Sequence, residues 1–392
     1  MTRFVLDVTR SISRAGRGAP TGIDRVETAY IDELARRDPG ALAFARVRRD
    51  SYVTVPLAAV AEVARRLRKP EPIAPPALSQ RMRLRATPAQ RGAATWLARN
   101  ALGQGATPAA ALATVGAQEY VNVGHTNLND AVMAAVRPAL ITVMVHDLIP
   151  ITHPQYTRAG VTERFAGRMT ATATHADRVI ANSHATARDV ERIFPAFGRT
   201  PPVSVAHLGV EASALRHAPA PPGEFICLGT IEPRKNHAVL LDAWQRLSEI
   251  GTPPPLLFAG RRGWRNREVF ARLDARPQGV TEDATLSDAA LWPRLAAARA
   301  LLFPSRVEGY GLPALEAAQI GLPVLATDLP VFRELLGPWA TYLPPDDPAA
   351  WARGVSDIAK IPLGVRGSSR SGIEQPPIPR WHSHFRHVFG ED

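Results

Sequence analysis

An α/β fold made of two doubly wound halves facing each other across a cleft is what this sequence predicts, and three observations carry that expectation. The chain has 392 residues, too many for one ordinary core and enough for two domains that each bury a sizeable one. Both halves alternate short apolar runs with helical patterns, the order that lays helices over mostly parallel sheets. Between them lies His217-Ala-Pro-Ala-Pro-Pro-Gly223, a proline-rich stretch that reads as a hinge or stiff spacer. The expected division is an amino-terminal domain over residues 1–218, with a basic insertion at about 52–116, and a carboxy-terminal domain over residues 219–378.

In chain order, the first strand is Arg3 to Val8, with no charged-then-apolar leader before it, so a secretory signal is not expected. No apolar run approaches the ~20 residues that span a bilayer. Cys227, the only cysteine, cannot form an internal disulfide, and a reducing cytoplasm is the simplest location. Flanked by apolar neighbours within Phe225 to Leu228, it reads as a buried strand residue and not a nucleophile. Ser11 to Gly22 is a long Gly- and Arg-rich loop, and Gly22 opens a helix whose Ile23, Val26, Tyr30 and Leu34 form one apolar stripe. His146 ends the apolar strand Ala139 to Val145 and so belongs at a strand's carboxyl edge, with His125 at a comparable strand end. A structural histidine beside Asp147 is the competing reading of His146.

The second half carries two loops of the same design. Glu224-Phe-Ile-Cys-Leu-Gly229-Thr-Ile-Glu-Pro-Arg234-Lys235-Asn236 reads as strand then loop, followed by a helix through Leu240, Leu241, Trp244 and Leu247. Arg234 and Lys235 fall in that loop, where two cations can neutralise a diphosphate. Only Lys69, Lys235 and Lys360 are lysines among 47 cationic residues, so a lysine beside an arginine there points to a compact charge being wanted. Ala300 to Ser305 is a short buried strand, and Glu308-Gly-Tyr-Gly-Leu-Pro-Ala-Leu-Glu316 follows it. Pro313 suits the first position of a helix that Gly321 ends. The backbone N–H groups of Gly309, Tyr310, Gly311 and Leu312 at that helix start can hold a phosphate. Carboxylates beside a phosphate need another object: Glu308 suits hexose hydroxyls or positive charge at the anomeric carbon, and Glu316 the ribose diol. Taken alone, Glu316 also reads as a first-turn acid favoured by the helix dipole, Glu308 as a solvated loop residue, and Arg234 and Lys235 as solvated loop charges.

Together these segments resemble the family 4 glycosyltransferases, retaining enzymes of GT-B architecture that use nucleoside diphosphate donors. Glu308 and Glu316 fit the family's paired glutamates, Gly229 to Asn236 its basic loop, and Phe258-Ala-Gly-Arg-Arg-Gly-Trp264 and Thr285-Leu-Ser-Asp-Ala-Ala-Leu291 its nucleoside-pocket segments. Thr21-Gly22-Ile-Asp-Arg-Val-Glu27, Val145-His146-Asp-Leu-Ile-Pro150 and Ala181-Asn-Ser-His-Ala-Thr-Ala-Arg-Asp189 are similar to family segments in the first half. The resemblance covers most of the chain except roughly residues 50–115 and the last 30 or so. It implies two Rossmann-like domains and a terminal helix over residues 379–392 that crosses back to the first domain. It also implies that Gly22 lets the first domain approach the donor phosphate, although this loop lacks the paired glycines of many relatives; a turn requirement explains Gly22 as well. His146 would bind a hydroxyl of the transferred sugar.

The mechanism implied is retaining transfer: the acceptor hydroxyl attacks the face from which the diphosphate leaves, and a donor phosphate oxygen takes its proton. No metal or other cofactor is expected, since no Asp-x-Asp pair or His/Cys cluster with ligand spacing occurs. The partners the resemblance implies are a nucleotide-sugar donor, with GDP-mannose the first choice because the His146 and Lys235 segments are similar to those of mannosyl-transferring relatives, and a saccharide or lipid-linked acceptor of surface polysaccharide synthesis. Net charge is +11, and nine cations oppose two acids between Glu62 and Arg99. With Val60, Val63 and Leu67 on an amphipathic helix and Leu84 and Trp96 at an interface, that segment suits an anionic membrane surface or acceptor, or else is a solvated Arg-rich face. Gly364 to Pro379 reads as a mobile loop. A nucleic-acid binder is disfavoured by an aromatic fraction of 6% and the lack of a binding module. A GT-B-like epimerase or a sugar-nucleotide-binding protein is the nearer rival.

Overall fold

The structure is a computed structural model that describes residues 4–18, 20–67, 69–81, 85–113, 115–211, 223–362 and 374–390. The chain forms two compact units, one of residues 1–182, 186–208 and 385–392 and the other of residues 183–185 and 209–384. Most of the proline-rich stretch, residues 217–222, and most of the 364–379 loop lie outside the described residues.

The first unit holds an eight-stranded sheet. Its strands are β1 (Phe4–Asp7), β2 (Leu42–Arg48), β3 (Ser51–Pro56), β4 (Gly103–Gly105), β5 (Glu119–Asn122), β6 (Leu140–Val145), β7 (Arg178–Ala181) and β8 (Val203–Val205). They run in the order β4-β3-β2-β1-β5-β6-β7-β8. Pairing is parallel from β2 through β8, while β3 and β4 add an antiparallel edge. The strands that begin and end the basic insertion are therefore part of this sheet. Its helix Leu57–Leu67 turns Val60 and Val63 inward, at 1% and 9% exposure, so these two valines belong to the unit's own core, while Trp96 is half-buried. Leu84 and the side chain of Leu67 lie outside the described set.

The long loop expected from Ser11 to Gly22 is broken by a short helix, Thr9–Arg14, ahead of the helix Gly22–Arg37. The cause is tertiary. Arg10 and Arg14, one turn apart, both reach Asp24 (2.7 and 3.2 Å), and Asp24 closes a capping box with Thr21. Burial would raise the Asp24 pKa, yet Arg10 and the Thr21 bonds outweigh it and hold the carboxylate ionised. The end of the terminal helix, Trp381–Phe389, also belongs to the first unit. Phe385 and Phe389 stack edge-on against Tyr30 and Phe4 (5.0 and 5.2 Å), and Arg178 donates to the Val388 carbonyl.

The second unit is simpler: six parallel strands in the order β11-β10-β9-β12-β13-β14. They are β9 (Phe225–Leu228), β10 (Leu256–Ala259), β11 (Val280–Asp283), β12 (Ala300–Phe303), β13 (Val324–Thr327) and β14 (Ala340–Leu343). Strands β10, β12 and β13 are buried at every position, as a sheet covered on both faces requires. Trp244 and Trp351 pack with Phe225, Cys227 and Phe258 in its core. There the Cys227 thiol, pushed up to about 12 by burial, is the inert strand residue its neighbours predict. No helix among the described residues is long and apolar enough to cross a membrane.

Candidate active site

In the second unit the strand order reverses between β9 and β12, and the crevice beyond the carboxyl ends of such a pair is where open α/β sheets bind ligands. The two loops singled out in the sequence leave those two strands. After β9 comes Gly229 at φ +133°, a conformation that L-residues rarely adopt, and a Cβ there would lie 3.4 Å from the Lys235 stem. Pro233–Lys235 forms a single 3-10 turn, and Asn236, left-handed at φ +54°, launches the helix His237–Ile250. Its side chain donates to the Pro345 carbonyl at 2.7 Å, which fixes the turn from the other side.

The loop after β12 closes onto this turn. The Arg306 N–H donates to the Arg234 carbonyl at 2.8 Å, stitching backbone to backbone. Glu308 then places one carboxylate oxygen on Arg234 Nη1 (2.9 Å) and the other on Lys235 Nζ, with only 9% of its side chain exposed. Arg234 is bridged on its other edge by Glu232, whose Oε1 lies 2.5 Å from Nε and whose side chain is 4% exposed. The Lys235 ammonium sits 4.7 Å above the Phe303 ring, a cation–π contact that holds it over the end of β12. Burial alone would raise the Glu308 pKa, but Arg234 and Lys235 prevail and bring it down to about 2, so the group is ionised at any physiological pH. Glu232, where burial outweighs the same two cations, is shifted upward.

Next to this cluster starts the helix Leu312–Gln319. Its N-cap is Gly311 at φ +111°, with no side chain capping the first turn, and Pro313 falls at the second helical position. A Cβ on Gly311 would approach a Phe332 ring carbon to 2.8 Å, so both conformation and space demand glycine. Tyr310 and Leu312 are buried, which leaves their backbone as the part able to meet a ligand, and Glu316 is buried at 5% exposure on the same helix. Arg234, Lys235, Glu308 and the Gly309 to Leu312 segment are thus brought together at the strand-order reversal.

Residues 222–360 match the family model described as Glycosyl transferases group 1. They are a group 1 glycosyltransferase domain. The paired loops just described both lie inside this glycosyltransferase domain, and its match stops short of the first unit. A wider stretch is similar to the serotype-specific mannosyltransferase WbdA of Escherichia coli, 34% identical over 236 residues, which is 55% of this chain and 29% of that protein. The O-antigen chain mannosyltransferase B of Escherichia coli is 34% identical over 128 residues, 32% of this chain and 34% of its own length. The chain therefore spans about a third or less of these two relatives. Among solved structures, the lipopolysaccharide outer core galactosyltransferase WaaB in its apo form superposes with a TM-score of 0.58 at 16% identity, covering 99% of both chains. That likeness extends beyond the glycosyltransferase domain and shows the fold of the chain to be the GT-B fold.

Outside the glycosyltransferase domain, the first unit holds the remaining expected residues. Gly22 is the exposed first residue of its helix. His146 is buried at 5% and its Nε2 lies 2.7 Å from the Val123 carbonyl, while His125 Nε2 lies 2.8 Å from the Met144 carbonyl. The two rings, 5.0 Å apart, each brace the strand end that carries the other. Sequence reasoning missed the polar cluster where this sheet reverses, between β1 and β5. Asp7 accepts from Tyr120 Oη (2.7 Å), Asn127 Nδ2 (2.9 Å) and the Thr9 amide (2.9 Å). Burial, only partly opposed by these bonds, raises its pKa. Glu27, wholly buried, accepts the Ser11 amide at 2.7 Å and is pushed up to about 8 by burial. Its signal was present: position 27 sits one turn from Ile23, Tyr30 and Ile31 on the apolar stripe. Glu232 was missed as well, because nothing in the sequence marks it as the side chain that orients Arg234.

Proposed function

We propose that the chain is a retaining, metal-independent hexosyltransferase, which moves a hexose from a nucleoside diphosphate sugar to a saccharide or lipid-linked saccharide in surface polysaccharide synthesis. Mannose carried on GDP is the first choice, supported by the two mannosyltransferase relatives. The observation that carries the reading is the meeting of Arg234, Lys235 and Glu308 at the strand-order reversal of a group 1 glycosyltransferase domain. In this scheme Arg234, Lys235 and the Gly309, Tyr310, Gly311 and Leu312 amides neutralise the departing diphosphate, the task a divalent metal performs elsewhere. Glu316 takes the ribose diol, Glu308 faces the sugar, His146 steadies a sugar hydroxyl, and Gly22 admits the donor phosphate. The enzyme would work in the cytoplasm, with the arginines of residues 62–99 drawing it to an anionic membrane face.

Thermal-shift screening of GDP-, UDP-, ADP- and TDP-sugars tests the donor, because a ligand that binds only the native state raises the melting temperature. Lys235→Ala abolishes the shift given by the correct nucleotide; an unchanged shift would refute the phosphate assignment. Glu308→Gln keeps nucleotide binding and loses turnover. Transfer is separated from epimerisation by release of nucleoside diphosphate, which must quicken when acceptor is supplied.

A further inference from the structure

The ion cluster at the ends of β9 and β12 is balanced within the chain: Arg234 and Lys235 face Glu232 and Glu308, two charges of each sign. A diphosphate brings two or more negative charges to this nearly dry place, where charge–charge terms are large. One of the carboxylates must then yield. Glu232 holds Arg234 by Nε, on the edge opposite the one that Glu308 takes, so it stays with its partner. Glu308 instead takes Arg234 by Nη1, the outer edge of the guanidinium, together with the Lys235 ammonium. The cations themselves are fixed. Phe303 and Gly229 flank the lysine, and Glu232 clamps the arginine.

Resting on the reading that this is the donor phosphate site, we infer that Glu308 is a built-in competitor for the anion seat formed by Arg234 and Lys235, and that this competition makes the site prefer nucleoside diphosphate sugar to free nucleoside diphosphate. Displaced from both cations, the Glu308 carboxylate is a buried anion that needs new hydrogen-bond donors. Phosphate oxygens only accept, so free nucleoside diphosphate leaves the Glu308 carboxylate with the neighbouring Ser305 hydroxyl in place of two cations. Sugar hydroxyls donate, so a donor carrying its sugar satisfies the carboxylate it has displaced. The consequence is eased product release: once the sugar has been transferred, the returning carboxylate helps to expel the diphosphate.

Calorimetric titration of the full chain with inorganic diphosphate, and with the nucleoside diphosphate and sugar nucleotide picked by the thermal-shift screen, tests this. Glu308→Gln keeps the shape but removes the competing charge, and should bind inorganic diphosphate about tenfold tighter or more. Its preference for sugar nucleotide over nucleoside diphosphate should shrink by a similar factor. Glu308→Gln binding diphosphate no tighter than wild type, while Lys235→Ala binds it more weakly, overturns the competition and leaves the phosphate site standing. Undiminished diphosphate binding by Lys235→Ala overturns both. Should Glu308→Gln fail to fold, wild type decides alone: sugar nucleotide must bind more tightly than the corresponding nucleoside diphosphate, and equal or weaker binding sinks the idea.

Discussion

At the scale of single residues, the site's character comes from backbone positions as much as from charges. Gly311 must hold φ +111° for the chain to pass from the Glu308 loop into the helix Leu312–Gln319, and Phe332 occupies the space a Cβ would need. Gly311→Ala should therefore cost roughly 2 kcal/mol or more, through left-handed strain plus a ring contact that must give. A melting curve checks this, and a variant as stable as wild type would mean the loop has another way to turn. Much of this was legible beforehand. A Gly-flanked turn between an apolar strand and a proline-opened helix has few conformations, and the two glutamates with seven residues between them stood in plain view. What the sequence could not show is that Glu308 pairs with Arg234 and Lys235, because ion pairs across more than 70 positions depend on strand order and not on spacing.

At the scale of elements, helices were read correctly as periodic stripes, but the surfaces they face were not. Val60 and Val63 mark an amphipathic helix whatever covers it, and here the cover is the protein itself. Thr9–Arg14 escaped notice because six residues are too few to fold by propensity. Its support comes from Asp24 on the next helix. Glu27 was hidden for the opposite reason: a lone acid on an apolar stripe looks like an exception until its burial is seen. Its pKa of about 8 lies above the unfolded value, so the native state favours the neutral carboxyl. That preference stabilises fully below the unfolded carboxylate range and is lost as pH rises from there through about 8. Glu27→Gln, which keeps the Ser11 bond without the charge, should leave the melting temperature near wild type at pH 5. At pH 8.5, where the charge must be buried or the fold must hold a proton, it should raise it by several degrees. An equal effect at both pH values would show that Glu27 is ionised in the fold.

At the scale of the whole molecule, chain order and contact order part company, since the end of the chain completes the core of the first unit. Phe385 is 4% exposed and meets Tyr30 edge-on, while Phe389 stacks against Phe4 on β1. An apolar, aromatic helix at the chain end was visible in the sequence, but its partners, more than 350 positions away, were not. Phe385→Ala should cost about 3–5 kcal/mol, the usual loss for emptying a buried phenyl site. The cost should fall on the first unit. Arg234, Lys235, Glu232 and Glu308 are all contained in the second, so the affinity for inorganic diphosphate should change less than about twofold, as for sites without shared partners. Differential scanning calorimetry of wild type and variant, paired with diphosphate titration below the first transition, reads both quantities. A variant with an unchanged melting profile would remove the terminal helix from the first core. One that keeps its melting profile in the second unit yet loses diphosphate would place part of the anion seat outside the glycosyltransferase domain.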